Sequence, residues 1–447
     1  MTRRRPSGAP AVRRLAAFGS RLVYRDIEVV ERGRPPTGPV LVVSSHFGGV
    51  ADAMLLIALS ERFPRIVARD LIWRYPVAGS LMRWIGAIPV RRRADSGDGA
   101  ARNEDMFAAC HEALRSGDVV LIFPEGVTQE DPHLAPIRTG AARIALGARA
   151  AGVQGIEVLP IGVHYEDRAA FRSRVLVSFG EPIPLDDVVE QIAPGEDVDA
   201  GSNDAVHRLT ALIAERMGRV GTSYRDWEQA RALRLAAEVV LREATPDGAA
   251  DPAVPLALTQ RLAASLADRP DGVRAPLEEA ATTYRHTLQE LDVDDGEVAS
   301  APRRAVWHVV RDAVLTVVLL PYAAIGVLLG AVPYLLTQAT RLLRMSPPML
   351  STIMPAVALL AFLGQWTWLT VRTAVETSVT LGAVVAVLAP LCVASTVFVA
   401  ERLALLGRAS RRWWLGRRST GPVVRARQER RAVLAAAVEA LRTEVAG

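Results

Sequence analysis

Between about residues 27 and 185, short β-branched apolar runs alternate with longer stretches of helical period. The runs Ile27–Val30, Val40–Ser44, Ile66–Ala68, Ile88–Arg91, Val119–Phe123, Val158–Val163 and Val175–Phe179 predict strands. Helices are predicted near 52–61, 76–84, 103–116 and 140–150. Strands separated by helices imply an α/β layer around a largely buried sheet, assigned here to 26–185. Ahead of it, in 1–25, Val12, Leu15, Phe18 and Leu22 fall at helical spacing beside Arg13, Arg14 and Arg21. That pattern fits a basic amphipathic helix on a membrane surface, and equally a helix packed on its own domain. Its apolar stretch is short, is broken by Arg21 and does not read as a signal peptide.

From 186 to 300 strand signals fade. Helical periods at 203–219, 224–243, 256–267 and 274–291 predict a helical connector packed on the first domain. Three apolar segments follow, 313–336, 349–371 and 379–400, free of Asp, Glu, Lys, Arg and His. About 20 apolar residues suffice to cross a bilayer, so 301–412 reads as an α-helical membrane domain with two or three spans. The first segment holds Pro321 and Pro333 and has Arg on both sides, so both its ends prefer the cytoplasm. A re-entrant or interfacial first segment, with the second and third as a hairpin, meets that preference. In the basic tail, 413–447, Trp413 and Trp414 among Arg411, Arg412, Arg417 and Arg418 read as an interfacial anchor, with 426–445 a surface helix beyond.

Composition sharpens this picture. The chain has 447 residues, 50% of them hydrophobic and 23% charged, which argues against disorder and against a wholly membrane-embedded protein. The net charge of +5 hides an asymmetry. Residues 1–25 carry seven Arg and no acid, and 401–447 carry eleven Arg against four Glu. Basic ends around an acidic body suit anionic lipid rather than a nucleic-acid groove, so no nucleic-acid partner is expected. There is no Lys, so phosphate contacts must come from Arg, backbone amides or helix N-termini. Cys110 and Cys392 imply no disulfide framework, and no cluster with metal-ligand spacing is visible.

Four blocks in the α/β region carry chemistry. Ser44-Ser45-His46-Phe47-Gly48-Gly49-Val50-Ala51-Asp52 follows an apolar strand. An imidazole near neutrality accepts a hydroxyl proton, and a carboxylate on its other nitrogen fixes the tautomer. Alone, the same residues also read as a polar strand end and a helix cap. Gly86-Ala87-Ile88-Pro89-Val90-Arg91-Arg92 ends a strand in Arg, suited to an anionic group or to a solvated edge. Phe123-Pro124-Glu125-Gly126 follows the most apolar strand, where α/β sheets bind ligands, though it could be a simple turn. Downstream, Arg138-Thr139-Gly140 opens a helix, with Thr139 as a natural N-cap. The fourth block, Val158-Leu159-Pro160-Ile161-Gly162-Val163, is an apolar strand with a central Pro.

Together and in this order the blocks resemble the phospholipid/glycerol acyltransferase superfamily, the lysophosphatidic acid acyltransferase-like domain. The usual first motif has four residues between His and Asp; here five separate His46 from Asp52. That spacing resembles the branch of fungal-type glycerol-3-phosphate acyltransferases. The resemblance implies an α/β acyltransferase domain with a mixed sheet flanked by helices. It also implies acyl transfer from acyl-CoA or acyl-ACP to a hydroxyl of glycerol 3-phosphate or 1-acylglycerol 3-phosphate, with no cofactor. His46 would be the general base and Asp52 its orienter. Arg92, Glu125, Gly126 and Arg138 would hold the glycerol phosphate, and Pro160 would shape the acyl-donor side. Gly86, Ile88, Phe123 and Pro124 complete the substrate-binding motifs. For the oxyanion, amides near Gly48, Gly49 or Gly126 are candidates. Expected partners are the acyl thioester, glycerol phosphate or a lysolipid, membrane lipids, and acyl carrier protein where it is the donor. The expected location is the cell inner membrane, multi-pass, with the catalytic domain cytoplasmic. The rivals are another lysolipid acceptor and a non-catalytic membrane scaffold with a degenerate domain.

Overall fold

The computed structural model describes residues 9–31, 36–74, 76–91, 104–128, 130–168, 170–221, 223–244, 254–299, 306–343, 347–417 and 421–442. The chain forms two compact units, Met1–Asp226 and Trp227–Gly447.

The first unit runs α1 (Ala9–Val23), β1 (Tyr24–Glu31), β2 (Val40–Ser44), α2 (Val50–Leu59), β3 (Pro64–Arg69), α3 (Pro76–Trp84), β4 (Ile88–Val90), α4 (Glu104–Arg115), β5 (Val119–Ile122) and α5 (Gly140–Ala150). It continues through β6 (Glu157–Tyr165), β7 (Ser173–Phe179), β8 (Ile183–Pro184), α6 (Leu185–Ile192) and α7 (Asn203–Val220). One mixed sheet has the order β1-β7-β6-β2-β5-β3-β4, with β8 on β6. β2, β3, β4 and β5 are mutually parallel, β6 joins β2 in parallel, and β7 and β8 are antiparallel to β6. The seven predicted strands are present; β8 is too short for a period to reveal.

β2 shows why the sheet is covered on both faces. All five of its residues are buried. Leu41 and Val43 pack with Ile144, Leu209 and Ile213, whereas Val40 and Val42 pack with Leu56, Ile57 and Ala16. The period of two thus splits one apolar run between two cores. α1 packs on its own domain, the second of its two sequence readings. Ala16 and Ser20 are buried, α1 packs on α2, and Leu15, Phe18 and Leu22 remain 54%, 61% and 43% exposed.

The segment expected as one connector, 186–300, is divided. Val188, Val189, Leu209, Ile213 and Met217 of α6 and α7 belong to the core of the first unit, and the helices from Trp227 onward belong to the second.

The second unit contains α8 (Trp227–Ala244), α9 (Leu256–Ala267), α10 (Asp271–Glu290), α11 (Asp295–Val298), α12 (Val306–Ala339), α13 (Pro347–Glu376), α14 (Val379–Arg417) and α15 (Gly421–Arg442). The expectation of a surface helix at 426–445 is corrected. α15 packs on α10 and α8 and buries Val423, Ala426, Val433, Ala437 and Ala440. A buried carboxylate ties this bundle together. Asp295 accepts from Tyr284 Oη at 2.8 Å, from Arg430 Nε at 3.0 Å, and from Arg242.

Among the described residues, two helices are long and apolar enough to cross a membrane, Val310–Leu342 and Val379–Gly407, with mean hydropathy 2.3 and 2.4. α12 is continuous through Pro321 and Pro333. Arg402 pairs with Asp312 at 3.0 Å, Thr396 Oγ1 donates to the Ala323 carbonyl at 2.9 Å, and Gly326 lies against Cys392. Positions rise along α12 as they fall along α14, so these two helices run antiparallel.

Candidate active site

The buried β2 delivers His46 to the carboxyl end of the parallel strands, and Asp52 lies in the first turn of α2. His46 Nδ1 and Asp52 Oδ2 are 2.9 Å apart. Asp52 is fully buried and the imidazole is 19% exposed. A carboxylate only accepts, so Nδ1 carries the proton and Nε2 of the neutral ring is the basic nitrogen. The five-residue spacing therefore still closes the pair. Gly49 absorbs the added length with φ 63° and ψ −125°, a conformation open essentially to glycine. Gly48 donates its N–H to Asp52 Oδ2 at 2.8 Å, and a Cβ there would run into the Tyr165 hydroxyl and ring.

The turn after β5 grips His46 from the other side. Phe123 stacks on the imidazole, with ring centroids 4.0 Å apart. Glu125 is 2% exposed; Oε1 accepts the His46 N–H at 3.1 Å and Oε2 the Ala135 N–H at 3.2 Å. Pro124 is buried and its carbonyl accepts the Arg138 N–H at 3.0 Å. Gly126 turns at φ 69° and gives its N–H to the Phe123 carbonyl at 3.1 Å. The Arg138 side chain passes directly beside Gly126, and Arg138 is exposed.

Of the three amides named for an oxyanion, Gly48 and Gly126 donate within the protein. Gly49 is the one with no acceptor among the described residues.

The remaining predicted positions are spread around this edge. Gly86 ends α3 at φ 70°, and Ile88 is buried in the core, so both act in shaping the strand that leads to Arg91. Arg91 pairs with Asp70 at 3.0 Å; Arg92 lies outside the described residues. Pro160 is buried where the edge of β6 passes from β8 to β7, a gap in the ladder that tolerates its missing N–H. Thr139 occupies the cap position of α5, but its side chain makes no capping bond.

Sequence reasoning missed Tyr165. Its hydroxyl donates to Asp52 Oδ1, and its ring lies 5.8 Å from that of Tyr24. Tyr165 and Asp52 are 113 positions apart in the chain, and no local pattern links them. Cys110 is buried, and burial pushes its thiol up to about 12, away from the reactive thiolate. Among the described residues no group of three His, Cys, Asp or Glu could hold a metal ion. The arrangement therefore offers an oriented imidazole base on a rigid turn, with an exposed arginine beside it.

Residues 22–164 match the family model described as Acyltransferase. A glycerol-3-phosphate O-acyltransferase of Saccharomyces cerevisiae is 33% identical over 135 residues, covering 30% of this chain and 18% of its own length. A 1-acyl-sn-glycerol-3-phosphate acyltransferase alpha of Mus musculus is 27% identical over 211 residues, 45% of this chain and 69% of its own. A lysophospholipid acyltransferase of Arabidopsis thaliana is 28% identical over 132 residues, 29% of this chain and 30% of its own. The chain thus spans less than a fifth of the yeast protein, and the likeness to that relative and to the Arabidopsis one is confined to under a third of this chain. The stretch that carries His46, Asp52 and the Phe123–Gly126 turn lies within the part of the chain that matches this acyltransferase model.

Proposed function

We propose that this protein moves a fatty acyl group from an acyl thioester, acyl-CoA or acyl-ACP, to a hydroxyl of glycerol 3-phosphate or 1-acylglycerol 3-phosphate. The observation that carries the proposal is the His46–Asp52 pair, closed at 2.9 Å despite its longer spacing. Nε2 of His46 takes the acceptor hydroxyl proton as the oxygen bonds to the thioester carbonyl carbon. The tetrahedral oxyanion then collapses, the C–S bond breaks, and the imidazolium returns its proton to the departing thiolate. Asp52 keeps the ring in the required tautomer throughout. Arg138, exposed beside Gly126, receives the phosphate as a charge-assisted fork.

The membrane reading is part of the same proposal. Three full crossings in succession would leave α12 and α14 parallel, whereas they are antiparallel. α12 and α14 are therefore assigned as the crossing pair, and α13 adds no third crossing. This replaces the second-and-third-segment hairpin expected from charge alone. The start of α12 and the end of α14 then share a side, and by the positive-inside rule that side is cytoplasmic. The exposed Leu15, Phe18 and Leu22 edge of α1, flanked by Arg14 and Arg21, is assigned to the membrane surface.

The test is acyl transfer from labelled acyl-CoA in membranes holding the full chain, offering each acceptor separately beside His46→Ala. Product from wild type alone supports the assignment, and the preferred acceptor fixes the step. If neither acceptor reacts above the mutant with CoA or carrier-protein donors, the acceptor assignment is wrong.

A further inference from the structure

We infer that Tyr165 is a positioning residue, whose hydroxyl holds the buried Asp52 carboxylate in the orientation that serves His46. The inference rests on the acyl-transfer reading, but its test does not need turnover.

Asp52 has no exposed surface, so its charge must be met by donors inside the protein. Three are present. His46 Nδ1 and the Gly48 N–H share Oδ2, at 2.9 and 2.8 Å. Tyr165 alone donates to Oδ1 among the bonds described. A carboxylate held at one oxygen only can swing about χ2; held at both, it cannot leave the plane that faces the imidazole. Tyr165 is itself fixed. It ends β6, an interior strand between β2 and β7, and the Tyr24 ring, on β1, lies beside its own with centroids 5.8 Å apart. Burial raises the Tyr165 phenol well above its ordinary value, helped by the Asp52 charge, so it stays a donor across the working pH range. Gly48 is the counterpart on the loop, since any side chain there would displace the Tyr165 ring.

The consequence for His46 has a definite sign. The Tyr165 hydroxyl withdraws charge from the carboxylate. Removing it leaves a less satisfied anion, which pulls harder on Nδ1–H and favours the imidazolium. The other titratable or charged groups facing this cluster are Glu125, which accepts the His46 N–H, and Arg168, which donates to the Phe47 carbonyl at 3.1 Å. Neither bonds Asp52, and both remain when Tyr165 is changed.

The experiment reads the His46 titration directly, by the pH dependence of its carbethoxylation followed by mass spectrometry of the His46 peptide in the full chain. Tyr165→Phe should raise the midpoint by about half a pH unit or more. Where the acyl-transfer reading holds, the same variant should lower kcat about tenfold with KM for both substrates unchanged. Tyr24→Phe keeps the bond from Tyr165 to Asp52 and should leave the midpoint in place. A Tyr165→Phe midpoint that stays in place or falls overturns the inference. If Tyr165→Phe does not fold, an unmoved midpoint in Gly48→Ala, whose Cβ displaces the Tyr165 ring, overturns it. Absence of acyl transfer by wild type, with the midpoints as expected, would count against the acceptor assignment and leave the positioning role standing.

Discussion

Glu125 holds His46 by its backbone: Oε1 accepts the His46 N–H at 3.1 Å, and Oε2 closes onto the Ala135 N–H at 3.2 Å. The family resemblance would have this carboxylate hold the glycerol phosphate. At 2% exposure, with both oxygens committed to main-chain donors, its geometry favours work on the protein itself. A carboxylate also repels a phosphate. Glu125→Ala should therefore lower kcat by about a hundredfold with little change in KM for the acceptor, because it frees the loop that carries the base. It should also cost about 1–3 kcal/mol of stability through two unmet amides. Glu125→Gln keeps one acceptor oxygen and should fall between. Steady-state kinetics with both substrates decide this, and a large rise in acceptor KM at constant kcat would restore the binding role.

Arg138 is the opposite case, exposed and in contact with the backbone of the Phe123–Gly126 turn. Its main-chain N–H anchors it to Pro124, leaving the guanidinium to meet a ligand. Arg138→Gln should raise KM for glycerol 3-phosphate about tenfold or more while KM for the acyl donor and the unfolding midpoint stay as they are. Arg138→Lys should recover only part of the loss, since an ammonium cannot form the two-bond fork.

What could be read in advance followed the range of the signal. The apolar run of β2 and the helical stretches of α2, α4 and α5 are local signals, and they located the strands and the α/β layer. His46, Asp52 and the Phe123–Gly126 turn stood out because each motif is contiguous. Tyr165 did not, for its partner is 113 residues away and β6 is buried along nearly its whole length, which gives no local sign of which side chain meets Asp52. The division of 186–300 was equally hidden. α7 and α8 have the same amphipathic pattern, and only the identity of the surface each covers separates them into different units. α15 looked solvated because its Arg-rich face dominates the composition, whereas its small residues Ala426, Ala437 and Ala440 let it approach α10 and α8 closely.

His164 gives the α/β unit a dependence on pH that is separate from catalysis. Burial lowers its imidazole to about 4, against the smaller opposing effect of the bond to the Val220 carbonyl, 2.7 Å away. Because the folded value lies below the unfolded one, the unfolded chain binds more protons between about 6.5 and 4. Stability is therefore full above 6.5, falls as the pH drops through that window, and levels off below 4. The loss is of order 3 kcal/mol. Chemical unfolding followed at pH 7 and pH 5 should show the wild type weakened at the lower value. In His164→Gln, which has no titrating ring, that part of the difference should vanish, and an unchanged slope would mean that other groups carry it.

The antiparallel run of α12 and α14 makes the number of crossings measurable. With two crossings, Arg341, at the end of α12, and Ser378, just before α14, lie on one side of the membrane, and Ser410, late in α14, lies on the other. With three crossings, Arg341 and Ser410 share a side and Ser378 is opposite. Single-cysteine variants Arg341→Cys, Ser378→Cys and Ser410→Cys, in a chain with Cys110 and Cys392 replaced by Ala, separate the two cases. In sealed right-side-out vesicles, an impermeant maleimide should label Arg341→Cys and Ser378→Cys alike and spare Ser410→Cys until the membrane is opened. The Asp312–Arg402 pair offers a check from within the helices. Removing Arg402 leaves the buried Asp312 carboxylate with Arg311, 3.1 Å away, as its remaining named ion pair, so Arg402→Leu should destabilise the hairpin by about 1–3 kcal/mol, and Asp312→Leu with Arg402→Leu should restore most of the loss. Reciprocal rescue requires that the two side chains meet at the same depth, which antiparallel α12 and α14 provide and a parallel pair in a three-crossing arrangement does not.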